Sequence, residues 1–121
     1  MQNFKKILAA AALTTMVASA AYGWSAIAVD DGEGIAQAEV GYGSVTKSPT
    51  KDAASAAALA ACKDEGNDDC AVVLAFQNCG AYAASTVAFG TGTAMTLKDA
   101  EQSAVTDCGD KDCKIVVSDC E

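Results

Sequence analysis

"SPTKDAASAAALAACKDEGNDDCAVVLAFQNC", Ser48 to Cys79, has a shorter echo in "AMTLKDAEQSAVTDCGDKDCKIVVSDC", Ala94 to Cys120. Ala54, Ala58, Leu59 and Cys62 fall opposite Ala100, Ala104, Val105 and Cys108. Each stretch continues through an acidic loop, a second cysteine, a β-branched apolar run and a third cysteine. The match extends weakly upstream, where "VGYGSVT" (Val40–Thr46) precedes the first stretch and "FGTGTAM" (Phe89–Met95) the second. A period of about 46 residues present only twice reads as a duplicated supersecondary unit, because a solenoid needs more copies.

The unit reads strand, strand, helix, strand. "WSAIAVDD" (Trp24–Asp31) and "AQAEVGYGSVT" (Ala36–Thr46) flank "GEGI" (Gly32–Ile35), which fits a hairpin turn. Ser48 and Pro49 read as an N-cap and first helical residue, and the alanine run to Cys62 propagates a helix well. In the second unit Thr96 and Asp99 form a box-like start. That helix shows which face is inside: Asp99, Glu101, Gln102, Ser103, Thr106 and Asp107 are polar, while Leu97, Ala100, Ala104, Val105 and Cys108 recur at helical spacing. "CAVVLAF" and "CKIVV" are short and β-branched, hence strands. The expected fold is α+β: two tandem strand-strand-helix-strand repeats, 24–79 and 80–121, with helices packed on an antiparallel sheet and stapled by disulfides. Small helix residues bury little area each, so staples would usefully supplement the core.

Strand parity sorts the cysteines. Period two puts Cys70 with Val72, Leu74 and Phe76, and Cys113 with Ile115 and Val117, on faces expected to meet the helices. Helix-end and strand-start cysteines then pair as Cys62–Cys70 and Cys108–Cys113. Cys79 and Cys120 have the other parity and are left to each other, joining the repeats.

Ahead of these units lies a leader. "MQNFKK" is basic, "ILAAAALTTMVA" is too short to span a bilayer comfortably, and Ala18, Ser19 and Ala20 are small. This order is that of a secretory signal peptide over residues 1–20, cleaved after Ala20 or, second choice, after Gly23. No membrane anchor is expected after processing. Export together with six cysteines reads as a disulfide framework made in an oxidising compartment, periplasmic or extracellular.

Composition narrows the function. The 121-residue chain carries 16 acidic residues against 8 basic ones, all lysine, and no histidine. Losing Lys5 and Lys6 with the leader takes the net charge from −8 to −10. Nucleic acid is not an expected partner, since phosphate contacts need a basic surface. A basic protein, a cationic ligand or calcium suits the field better, although solubility alone is the ordinary reason for such a charge. Without histidine there is no Ser-His or Cys-His nucleophile pair. "CGDKDC" is wider than a redox C-x-x-C and sits at a helix end, and the glycines of "GYG" and "GTG" do not match a phosphate-cradling loop. Asp64 and Asp68 in one acidic loop, and Asp110 and Asp112 in the other, are weak calcium candidates lacking the ordered spacing of an EF-hand. No catalytic residue and no cofactor are expected. Trp24, Tyr42, Tyr82 and Phe89 are candidate binding aromatics.

Taken as a set, "WSAIAVDD", "VGYGS", "AALAAC", "CAVVLAFQNCGAYAAS" and "CKIVV" resemble the bacterial exported family described as domain of unknown function 4189. The resemblance runs from Trp24 to Cys120 and implies export and disulfides, with no catalytic residue carried over. In architecture alone the duplicated helix-on-sheet plan is also similar to secreted β-lactamase inhibitory proteins. The expected function is a non-enzymatic module that binds or inhibits another envelope or extracellular protein. The alternatives are a carboxylate-based hydrolase and a calcium-dependent structural protein.

Overall fold

The computed structural model describes residues 23–30 and 40–121. The leader and the "GEGI" turn lie outside the described residues. The elements are β1 (Trp24–Asp30), β2 (Gly41–Ser48), α1 (Lys51–Asp64), β3 (Ala71–Phe76), β4 (Cys79–Ala84), β5 (Phe89–Ala94), α2 (Leu97–Cys108) and β6 (Lys114–Cys120). The class is α+β. The strands make two three-stranded antiparallel sheets, ordered β2-β1-β3 and β5-β4-β6, where the sequence reading had allowed for one.

Three apolar clusters stack the elements in four layers. Ala54, Ala58 and Cys62 of α1 pack on Ala26 and Ala28 of β1. Ala100, Ala104 and Cys108 of α2 pack on Ala81 and Ala83 of β4. Between the sheets lie Ile27, Val29, Phe76, Tyr82, Ala84 and Val117. Each helix thus rests on the outer face of its own sheet, and the larger side chains fill the space between sheets. Leu97 and Val105, expected on the inner stripe of α2, are in fact partly exposed. Only Ala100, Ala104 and Cys108 of that helix are buried, so the inner stripe is narrower than the apolar spacing implied.

Close approach explains the alanines and two of the glycine motifs. A Cβ on Gly43 would collide with the backbone of α1 at Ala58, Ala61 and Cys62. A Cβ on Gly90 would collide with the α2 backbone at Ala104, Asp107 and Cys108. "GYG" and "GTG" therefore set the helix–sheet distance.

The helix starts differ from one another. Thr96 caps α2 as expected, its Oγ1 accepting from the Asp99 N–H at 3.2 Å. For α1 the cap is Thr50, whose Oγ1 accepts from the Ala53 N–H at 3.0 Å. Ser48, the expected cap, is the last residue of β2 and pairs with Trp24, so its backbone belongs to the sheet.

The parity reading of β3 and β6 needs correction. The register of β3 against β1 shifts between Ile27 and Ala28, leaving Val73 as an extra residue. The register of β6 against β4 shifts between Tyr82 and Ala83, leaving Val116 extra. Each bulge reverses the alternation beyond it. Cys70 and Ala75 consequently face α1, while Leu74 and Phe76 join the inter-sheet core. Cys113 and Ile115 face α2, while Val117 turns inward between the sheets.

The disulfides are Cys62–Cys70, Cys79–Cys120 and Cys108–Cys113. Two of them join a helix end to the strand that follows. The third does not join the two sheets, as it would if Cys79 closed the strand of the first repeat. Cys79 is the first residue of β4, directly opposite Cys120 of β6, so this bond crosses neighbouring strands within one sheet.

Candidate functional site

The four candidate aromatics do not form one cluster. Tyr82 is fully buried in the inter-sheet core and belongs to packing. Phe89 stacks on it, ring centroids 6.0 Å apart at 26°, yet keeps 58% of its surface exposed. Tyr42 is 43% exposed and pairs with Val29. It borders a shallow cleft with Val40, Ser44, Glu65 and Asn67. Trp24 stands apart. It pairs with Ser48 at the start of β1, whereas Tyr42 pairs near the strand's other end.

The β4–β5 turn is fastened from within. The Ser85 N–H donates to the Ala88 carbonyl at 2.8 Å. The Ser85 Oγ accepts from the N–H groups of Val87 and Ala88, each at 3.2 Å. The outcome is a short, ordered turn that holds Val87 79% exposed beside Phe89. Sheet pairing and the stack on Tyr82 hold Phe89 in place, so its exposed area is offered by a side chain with little freedom left to lose.

The opposite end of the sheets carries a second shallow cleft. Trp24, Phe76, Gln77, Asn78, Thr93 and Met95 are among its lining residues. The Lys51 Nζ lies 6.0 Å from the centroid of the indole. Beneath this cleft the Cys79–Cys120 bond and the Glu121 N–H, which donates to the Asn78 carbonyl at 2.8 Å, fix the backbone.

The acidic loops are not drawn together. Among the described residues no group of three or more Cys, Asp or Glu side chains is placed to share a cation. Asp112 meets the adjacent Lys111 at 3.4 Å, while Asp64 ends α1 and Asp68 and Asp110 lie in the loops, none of them in such a group. The loop of α1 is instead ordered by Asn67, whose Nδ2 donates to the Cys62 carbonyl at 2.9 Å.

A polar seam that sequence reasoning missed lies where β6 passes the first sheet. Ser25, fully buried, donates through Oγ to the Glu121 carboxylate. The same oxygen, Oε2, accepts from the Lys47 N–H at 2.7 Å. Lys47 reaches it in the left-handed region, at φ 59°. Two residues earlier on the strand, Asp119 accepts from the Ser44 Oγ at 2.9 Å. The signal was present as Asp119 and Glu121, alternate residues that share a face, but nothing in the sequence named their serine partners. Each carboxylate accepts hydrogen bonds from the first sheet through one oxygen, so the seam fastens the two sheets together, while the other Glu121 oxygen, Oε1, is buried without a partner among the described residues. No helix among the described residues is long and apolar enough to cross a membrane.

A family model described as "Domain of unknown function (DUF4189)" matches residues 24–120. The chain belongs to this family. No curated protein matches the chain. No solved structure matches it either. The DUF4189 match begins at the indole of the second cleft and ends at the cysteine that closes the second sheet. Both clefts, the fastened turn and all three disulfides fall within it.

Proposed function

We propose that this protein is an exported, non-enzymatic module that binds, and thereby inhibits or assembles with, another protein of the envelope or extracellular space. The observation that carries the reading is the Val87–Phe89 turn. It places two apolar side chains, 79% and 58% exposed, on a rigid edge of a disulfide-stapled scaffold. Large exposed apolar groups cost little when solitary, but phenylalanine is enriched in the cores of protein interfaces, and an aromatic already held in place loses little freedom on binding. The disulfides fit an oxidising compartment, which supports export.

We further infer that the domain arose by duplication of one strand-strand-helix-strand unit. Support comes from three matched features. The central strands β1 and β4 begin each half, both helices pack through two alanines and a cysteine, and both last strands bulge at the same place against the central strand. Duplication gives a scaffold whose outer loops can diverge without touching the core.

The test is comparative capture. Mature oxidised protein and a Val87→Asp/Phe89→Ser variant are immobilised side by side and exposed to an envelope extract, with near-UV circular dichroism confirming that both are folded. A protein retained by the wild type and lost from the variant is expected. Equal retention by both would remove the turn from the binding surface. Turnover of any ester, amide or glycoside by the purified protein would overturn the non-enzymatic reading.

A further inference from the structure

We infer that the cleft beside Trp24 is a binding site for a neutral glycan chain, with the indole as its stacking platform. The cleft combines the partly buried Trp24 and the buried Phe76 with neutral hydrogen-bonding side chains, Gln77, Asn78 and Thr93, and with Met95, which is 78% exposed at its rim. Each amide offers both donors and an acceptor, and the threonine hydroxyl does the same. No carboxylate lines the cleft, so it has no charge for a metal ion or a cationic ligand. One lysine, Lys51, stands over the indole, and a chain of net charge −8 does not favour a polyanion. A wholly apolar ligand would leave the Gln77 and Asn78 amides without partners. A pyranose meets all of these conditions. Its C–H face suits the part of the indole that Lys51 leaves open to the cleft, and its rim of hydroxyls suits groups that both donate and accept.

A comparison of the two sheets points the same way. Trp24 opens the central strand of the first sheet as Cys79 opens that of the second. Ser25 pairs with Phe76, and Gly80 with Asp119, so one residue further along Gln77 corresponds to Cys120. Where the second sheet is closed by the Cys79–Cys120 bond, the first presents an indole and an amide to an open cleft. The site lies at the opposite end of β5 from Phe89, since Cys79 pairs with Ala94 and Ala84 with Phe89. It is thus independent of the Val87–Phe89 turn.

Trp24 is the one tryptophan of the chain, so its emission reports on this cleft directly. The oxidised mature protein is titrated with chitotetraose, cellotetraose and tetragalacturonate, each up to about 10 mM, the range for weak single-cleft binding. A saturable change in emission is expected with at least one of the two neutral sugars and none with the anionic one. An acetamido-bearing ligand is indicated if chitotetraose alone binds, and a plain hexose chain if cellotetraose binds as well. Gln77→Ala/Asn78→Ala should weaken binding at least tenfold. Thr93→Val, a milder change, should weaken it severalfold if the double variant does not fold. Val87→Asp/Phe89→Ser should leave sugar binding intact, which separates a failure here from a failure of the protein-binding reading. No saturable change with either neutral sugar, tighter binding of the anionic one, or binding that survives both cleft variants would overturn the assignment.

Discussion

Replacing Gly90 with alanine should destabilise the protein although alanine is the better residue for an ordinary strand. Glycine in a strand interior normally costs about 0.5–1 kcal/mol relative to alanine, so the intrinsic effect of the change is favourable. At this position the added methyl would meet the Cys108 nitrogen, the Ala104 carbonyl oxygen and the Asp107 carbonyl carbon. All three are backbone atoms of a helix whose end is tied by Cys108–Cys113. No rotamer change can relieve that contact, so α2 must lift from β5. Lifting it loosens the Ala100 and Ala104 contacts on β4. Overpacking costs typically about 1–3 kcal/mol, and a backbone obstacle puts this case near the top, leaving about 2 kcal/mol net. For a domain of roughly 100 residues that lowers the melting temperature by about 8–16 °C. Urea unfolding followed by far-UV circular dichroism under non-reducing conditions measures the free-energy loss, with an unchanged m-value expected, and thermal unfolding measures the shift in melting temperature. Gly43→Ala should behave alike, because its Cβ would meet the α1 backbone in the same manner. Neutral or stabilising effects at both positions would show that the helices sit further from the sheets than described, and the packing account of "GYG" and "GTG" would fall.

Other outcomes follow from the staples, the seam and the leader. Removing Cys79–Cys120 by paired alanine substitution should cost about 4 kcal/mol against about 2 for Cys108–Cys113, because the closed loops span 41 and 5 residues; the reverse order in urea unfolding would show that strain or denatured-state structure dominates. Lys47→Gly should raise stability by roughly 0.5–1 kcal/mol, since glycine accepts the left-handed conformation while keeping the N–H that Glu121 needs; a loss measured by the same unfolding would mean that the lysine stem packs usefully. Intact-mass analysis of protein from an envelope fraction should show residues 1–20 or 1–23 removed, and a full-length mass there would contradict export.

Legibility in the sequence varied with the chemistry of each segment. The face of α2 was readable because Asp99, Gln102 and Thr106 mark its wet side, whereas the alanines of α1 mark nothing. The bulges at Val73 and Val116 were not readable, since a bulge that carries valine leaves no compositional trace. They inverted the faces of Leu74, Phe76 and Val117, which period-two reasoning had assigned to the helices. Cys79 was read as the end of one apolar run because only Gln77 and Asn78 separate β3 from β4. Of the candidate site, the exposed Phe89 and the half-buried Trp24 were legible as aromatics among small residues. Their positions at opposite ends of the sheets were not, because that depends on register and not on spacing. The Ser25–Glu121 seam depends on residues 96 positions apart, which no local pattern connects.

All the covalent cross-links fall on one side or the other of Asn78: Cys62–Cys70 before it, the other two after it. A chain threaded through a membrane amino end first can therefore oxidise its first pair before Cys79 has emerged. That nascent half would already have α1 seated on β1, yet Ile27, Val29 and Phe76 would stand uncovered until β4 and β6 arrived. If the chain is exported as proposed, its biosynthesis would pass through a species that is correctly oxidised but sticky on one face. On the proposed export route the hazard would be clumping of half-made chains, and a chaperone that shields apolar sheet surface would serve them better than an isomerase that reshuffles sulfur.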